Sequence, residues 1–399
     1  MFNQIFFKYV AAYKGLPKMA WLLSLAILIN RSGSVVLFFL VLYLTSQLDY
    51  SVSDAGRMLS VYGLGSLAGS YLGGWLSDKI GVARVMIISL ILSAIGYIVL
   101  CYISDPWVIT LVLFFVAIVA EAFRPANNTS MALVCSPENR ARGFALNRMA
   151  VNLGVTIGPA IGGFIALLSY SLLFWFDAIT CLAAALFLFL IFRNIEFTNV
   201  SKDKVNSSQL KSPLKDGFYL ILLFILFLTG IIFVQLMNTW PIYLKSFYNL
   251  IENQIGILFA INGIMIVSME LPLIHTLERK STLKIMAVGT VLFAAGFGIL
   301  PLSTTYWFAV ITVIIWTLGE MLIFPLVAGL IANRASDDNR GQYMGLFSFT
   351  FSLAFVFGPV LGSWIYDNIG PHQLWIGSGV LGILITIGLL ILEKFQSKQ

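Results

Sequence analysis

Residues 108–120 read VITLVLFFVAIVA, and Glu121 and Arg124 follow at once. No charge interrupts the run, and apolar residues do not alternate with polar ones as they would over the ~10 residues of a transmembrane β-strand. In lipid only a helix satisfies its own backbone over such a stretch. Residues 182–192, LAAALFLFLIF, repeat the pattern. Outward from these stretches the chain keeps one character. Its 399 residues are 59% apolar, 14% aromatic and 11% charged, with a mean hydropathy of +0.93. A soluble domain carries about 25% charged residues. Water is thereby excluded as the main solvent, and so is a disordered chain. Three cysteines exclude a disulfide-stapled secreted fold, and 33 Gly with 12 Pro in no repeat exclude collagen.

At about 20 apolar residues per span the length holds about twelve helices. The expected spans are 18–45, 53–77, 83–103, 106–131, 141–168, 171–192, 216–244, 252–275, 281–301, 305–331, 341–366 and 371–392. Lys8, Lys14 and Lys18 precede a first span too long for a signal h-region, so it is expected to be retained as a helix. Cys101, Cys135 and Cys181 have no metal spacing, and with only His275 and His372 a metal site is not expected.

With the N-terminus inside, the inner segments and span ends hold Lys8, Lys14, Lys18, Lys79, Arg84, Arg140, Arg142, Arg193, Lys202, Lys204, Lys211, Lys215, Arg279, Lys280, Lys284, Arg334, Arg340, Lys394 and Lys398, and the outer side only Arg57 and Lys245. The bias places both termini in the cytoplasm of a multi-pass inner-membrane protein. It also assigns the basic balance to topology and anionic lipid rather than to nucleic acid.

The one long polar stretch divides the chain into a six-helix bundle at 1–193, a cytoplasmic linker at 194–215 and a second bundle at 216–399. At an offset of 200, Tyr43-Leu44 recurs as Tyr243-Leu244, Gly63 as Gly263, Gly96 as Gly296, Trp107 as Trp307, and Pro125 as Pro325. Asn139-Arg140 recurs as Asn339-Arg340, and Gly158-Pro159-x-x-Gly162 as Gly358-Pro359-x-x-Gly362. One register held this far argues for internal duplication. Six helices per repeat give halves of like orientation, an arrangement of transporters that rock about a midplane site.

These residues resemble the major facilitator superfamily, and within it the twelve-helix drug:proton antiporters. Gly74-Trp75-Leu76-Ser77-Asp78-Lys79-Ile80-Gly81-Val82-Ala83-Arg84 is similar to the family's loop signature, departing from it at Val82 and Ala83. In the second half Glu278-Arg279-Lys280 survives. Gly154-x-x-x-Gly158-Pro159-x-x-Gly162-Gly163 resembles the antiporter signature of the fifth helix. Arg124 matches the embedded arginine of the fourth helix, although Pro125-Ala126-Asn127-Asn128 departs from the pattern that follows it. The resemblance implies the major facilitator fold, with helices 1, 4, 7 and 10 around a central cavity. Physically, Asp78 can pair with Arg84 or cap a helix as a cytoplasmic gate, or the segment is a solvated turn. Gly154, Gly158, Pro159 and Gly162 make a moving hinge or a static kinked seam.

An ionisable group near the bilayer centre costs at least ~2.5–3.5 kcal/mol on insertion scales. The first half carries Arg31, Glu121, Arg124 and Arg148 in its spans, with Glu121 and Arg124 spaced to share a helix face. The second carries Glu320 and Glu270, and no Lys or Arg deep in a span. Glu320, lacking a cation in its own half, is the leading candidate to load and release a proton, with Glu121 and Glu270 as further candidates. Asn30, Ser34, Asn127, Asn128, Gln235, Asn238 and Trp316 could line the path beside Arg31, Glu121, Arg124, Arg148 and Glu320. Asp177 is expected near the outer interface. The same charges could instead form a fixed ion-pair network.

The expected function is proton-coupled secondary transport of a small organic solute, amphipathic or anionic, by a monomer in contact with lipid. Export by alternating access leads. Import of an anionic solute, and a membrane-embedded enzyme or lipid-handling protein, are the alternatives. No Gly-Lys dipeptide occurs, so the phosphate-binding loop of an ATP motor is absent, and no cofactor is expected.

Overall fold

The computed structural model describes residues 15–136, 139–193, 213–277, 280–335 and 339–396. Most of the expected linker lies outside the described residues, as do Lys8, Lys14, Lys202, Lys204, Lys211, Glu278, Arg279 and Lys398.

Among the described residues every regular element is a helix. The first half holds α1 (Lys18–Ser32), α2 (Val36–Ser46), α3 (Val52–Ile80), α4 (Val82–Leu100), α5 (Pro106–Val134), α6 (Arg140–Leu168) and α7 (Ser171–Phe192). The second holds α8 (Gly217–Val234), α9 (Thr239–Phe247), α10 (Glu252–Leu277), α11 (Thr282–Gly298), α12 (Tyr306–Arg334), α13 (Arg340–Asn368) and α14 (Pro371–Gln396). α1 with α2, and α8 with α9, are each one expected span interrupted near its middle.

Among the described residues, eleven stretches are long and apolar enough to cross a membrane. α3, 29 residues long, is not among them, because its many glycines and serines dilute its hydropathy. Helix starts follow the sequence: Asp105 caps α5 by accepting from the Trp107 and Val108 N–H groups, ahead of Pro106.

The duplication extends to backbone detail. α5 and α12 each have 29 residues and start 200 apart, as do α6 and α13. Asp49 and Asn249, also 200 apart, both take left-handed backbone, with φ of 56° and 54°.

The chain forms two compact units: Met1–Val36 with Gly65–Val200, and Leu37–Leu64 with Ser201–Gln399. In the first, α4 packs on α5 and α7, and α1 on α6 and α7. In the second the equivalent pairs meet: α11 on α12 and α14, and α8 on α13 and α14. Residues 37–64 belong to the second unit, where the Phe38 ring meets Phe259 edge-on at 5.0 Å and the Ser53 N–H donates to Asp367 at 2.7 Å. The unit boundary therefore runs along α3. Its Gly56 and Gly63 lie against α13, and its Gly65, Gly69 and Gly73 against α5. Lacking Cβ atoms, these glycines allow close helix approach in lipid.

Candidate functional site

In the first unit the α1–α2 interruption falls at residues 33–35. The Ser34 hydroxyl donates to the Asn30 carbonyl at 3.3 Å. The Val35 N–H, just ahead of α2, is shared between the Gly33 carbonyl at 2.8 Å and Asp177 at 3.0 Å, and the Val36 N–H, at the start of α2, donates to Asp177 at 3.2 Å. Asp177 is 1% exposed. The broken helix supplies the two donors that make a buried carboxylate tolerable. The same face of α7 continues with Thr180, which fills the space where a Gly33 side chain would lie, and Cys181, whose sulfur accepts from the Asn30 amide at 3.6 Å.

Arg31 lies in the last turn of α1, where a cation suits the helix dipole. A Cβ on Gly154 of α6 would come 2.6 Å from the Arg31 Cβ, and one on Gly158 would come 3.1 Å from the Ser32 carbonyl oxygen. The glycines of the fifth-helix motif thus form a seam onto the interruption, with Gly162 buried. Pro159 lies inside α6. The Arg31 Nε is buried without a hydrogen-bond partner.

On α5, Arg124 and Glu121 approach to 4.0 Å, with side chains 56% and 19% exposed. That is a Coulombic contact rather than a hydrogen bond. Asn128 and, on α6, Arg148 are exposed. Asn127 turns inward and donates to Asn147 at 3.0 Å, tying α5 to α6. In the expected gate, Asp78 and Arg84 are exposed on either side of the α3–α4 turn. Gly81 there takes a φ of 90°, a backbone for which glycine is suited. Gly74 has open space at its Cβ position, and Lys79 sits 3.9 Å over the Trp75 ring.

The second unit treats its interruption differently. Pro241 lies in the first turn of α9, where its missing N–H costs nothing but forbids continuation from α8. The Gln235 amide donates to the Gly358 carbonyl at 2.8 Å and to Ile231 at 3.0 Å. Asn238 donates to the Pro359 carbonyl at 3.1 Å and to the Ser363 hydroxyl at 3.0 Å. Thr239 donates to the Gln235 Oε1 at 3.0 Å. Gln235 and Asn238 are 1% and 0% exposed, so these two expected path residues instead lock α8–α9 onto the second Gly-Pro-x-x-Gly motif.

Trp316 is also fully buried, stacked on Phe297 at 5.6 Å and edge-on to Trp240 at 6.3 Å. Glu320 is half-buried. It accepts from Asn262 of α10 at 2.9 Å, and that amide also donates to Thr317 at 3.1 Å. Within its own unit, no Lys or Arg among the described residues forms an ion pair with it. Glu270 is buried on α10. Asn262 was missed by the sequence reading, although an amide inside an apolar run was the signal for it.

At the end of the second unit that adjoins the linker, Asp216 caps α8 through the Tyr219 N–H at 3.2 Å. It also pairs through both oxygens with Arg334 of α12 and accepts from the Tyr343 hydroxyl of α13 at 3.0 Å. Burial alone would raise the Asp216 carboxyl. The hydrogen bonds from Arg334, Tyr219 and Tyr343, with the Arg334 charge, outweigh that and hold it below the usual carboxylate range.

Residues 22–251 and 227–399 each match the family model of the Major Facilitator Superfamily. The chain belongs to that superfamily. Among its relatives, the MFS-type transporter YttB of Bacillus subtilis is 27% identical over 96% of this chain and 97% of its own length. A Na(+), Li(+), K(+)/H(+) antiporter of Planococcus maritimus is 23% identical over 89% of each chain. Multidrug resistance protein MdtH of Proteus mirabilis is 24% identical over 91% of this chain and 92% of its own. A crystal structure of the peptide transporter POT shares the fold, with a TM-score of 0.79, 16% identity, and coverage of 95% of this chain and 94% of that one. This superfamily protein is thus a multi-pass membrane transporter and not an enzyme.

Proposed function

We propose that this superfamily member is a proton-coupled secondary transporter that exports a small amphipathic solute bearing an anionic group. The observation that carries the reading is the contrast in the charge that the two halves carry within their spans. Glu320 sits in the second unit with an amide and a hydroxyl for company, the setting of a group that exchanges a proton as its access to water changes. The first unit offers Arg31, Arg124 and Arg148 against Glu121 and the buried Asp177, an excess of cations suited to a carboxylate or phosphate. Export is favoured by the names of the relatives, which include a cation/H(+) antiporter and a multidrug resistance protein. The distribution of basic residues favours an inner membrane with both termini cytoplasmic.

The test is flux in proteoliposomes under an imposed pH gradient, after a thermal-shift screen has found a solute. Glu320→Gln is expected to lower proton-driven flux at least roughly tenfold, in the range of a lost acid–base group, while counterflow at equal pH persists. Unchanged proton-driven flux removes Glu320 from the mechanism, and absence of counterflow in the wild type refutes a carrier.

A further inference from the structure

The interruption between α1 and α2 carries a charge of each sign at the matching helix end. Arg31 is in the last turn of α1, at the negative end of its dipole. Asp177 accepts from Val35 and Val36 at the positive end of α2. The two half-helices are thus separately stabilised, and neither charge is spent on the other. Three side chains on one face of α7 hold the joint: Asp177 at the α2 amides, Thr180 against Gly33, and Cys181 at the Asn30 amide. From the other side Gly154 confines the Arg31 stem, and the Arg31 Nε has no protein partner. An arginine so confined keeps its direction only while the joint keeps its shape.

We propose that Asp177 is a positioning residue for solute recognition: by capping α2 it fixes the joint in the first helix, and through the joint it fixes the direction in which Arg31 meets the anionic group of the solute. This role rests on the reading of Arg31 as part of the solute site, and it does not require Asp177 to touch the solute.

The probe is dansylglycine, an aromatic carboxylate whose fluorescence rises on leaving water, compared with its neutral amide on the purified full chain. Wild type is expected to prefer the carboxylate, and Arg31→Ala to lose that preference. Asp177→Asn, which keeps the shape and removes the charge, is expected to weaken carboxylate binding roughly tenfold on the wild-type background and less than about twofold on the Arg31→Ala background, the non-additivity of residues sharing one network. Binding of the neutral amide should be the same in all of them. A purely structural Asp177 would weaken both probes on both backgrounds, and that result overturns the proposal while leaving the Arg31 reading intact. Full carboxylate preference in Asp177→Asn does the same. No preference in wild type, or preference retained in Arg31→Ala, removes the site reading itself and with it anything for Asp177 to position. Should Asp177→Asn not accumulate, Asp177→Glu is read in the same cycle, since it keeps the charge but displaces the cap by one methylene. It is expected to lose part of the carboxylate preference, and an unchanged preference counts against the role.

Discussion

The first helix of each half is interrupted near its middle, and the two interruptions are repaired by different chemistry. At 33–35 a carboxylate from α7 accepts from the Val35 and Val36 amides where α2 begins, and an arginine ends α1. At 235–238 two side-chain amides reach across to α13 and use their donors on its carbonyls and on Ser363. The first joint holds a charge of each sign, Arg31 and Asp177. The second is neutral and closed. A duplicated frame has thus kept the interruption in both copies while confining the electrostatics to one, and the buried carboxylates of the second half, Glu270 and Glu320, sit elsewhere, on α10 and α12.

The largest effect is expected at the closed joint. Asn238→Leu removes the donor to Pro359 and both bonds that Asn238 exchanges with the Ser363 hydroxyl, in a fully buried setting. The cost is about 2–3 kcal/mol, or a fall in melting temperature of about 5–10 °C in detergent. The preference for an anionic probe should survive. If stability is unchanged and the anion preference is lost, the second joint is a binding element like the first, and the contrast between the halves fails.

The residues concerned show how far sequence carries. The fold was legible: the uncharged runs required helices, and the offset of 200 required duplication, which returns in the equal lengths of α5 and α12 and the paired left-handed residues 49 and 249. The embedded charges were legible too, because their cost in lipid demands a reason. What each polar side chain does with its hydrogen bonds was not. Gln235 and Asn238 read as path residues from composition and are spent on α13, while Asp177 is spent on the Val35 and Val36 amides. A hydropathy pattern shows neither where a helix breaks nor which partner a polar side chain meets across the bundle. Asn262, inside the unbroken α10, was missed because its meaning comes from Glu320 on another helix.

A smaller effect distinguishes the two stretches of α3. A Cβ at Gly63 would come 2.6 Å from the Phe355 carbonyl oxygen, a backbone atom of α13, whereas one at Gly74 meets nothing within 4 Å. Gly63→Ala is therefore expected to destabilise by about 1–3 kcal/mol, and Gly74→Ala to be neutral or stabilising by up to about 1 kcal/mol from helix propensity. Both are read by thermal melting. Equal effects would mean that the close approach within the second unit is not what calls for glycine in the first part of α3.

The smallest effect is expected at the Asp216 clasp, which has no counterpart in the first half at an offset of 200: Arg334 corresponds to Val134, and Tyr343 to Gly143. Asp216 holds the ends of α8, α12 and α13 together. Because its carboxyl is held below the ordinary carboxylate range, its contribution to stability is fully present above that range and is lost as the pH falls through the lowered value. Asp216→Asn should thus lower the melting temperature by a few degrees, an effect worth about 1–2 kcal/mol for a partly exposed, charge-assisted pair, and by the same amount at pH 7 and at pH 5. The gap to wild type should close only below about pH 4. A gap that closes between pH 7 and pH 5 would show that Asp216 is not held in its charged form by Arg334 and the α8 amide, and the clasp would then lose its claim to set the second half apart.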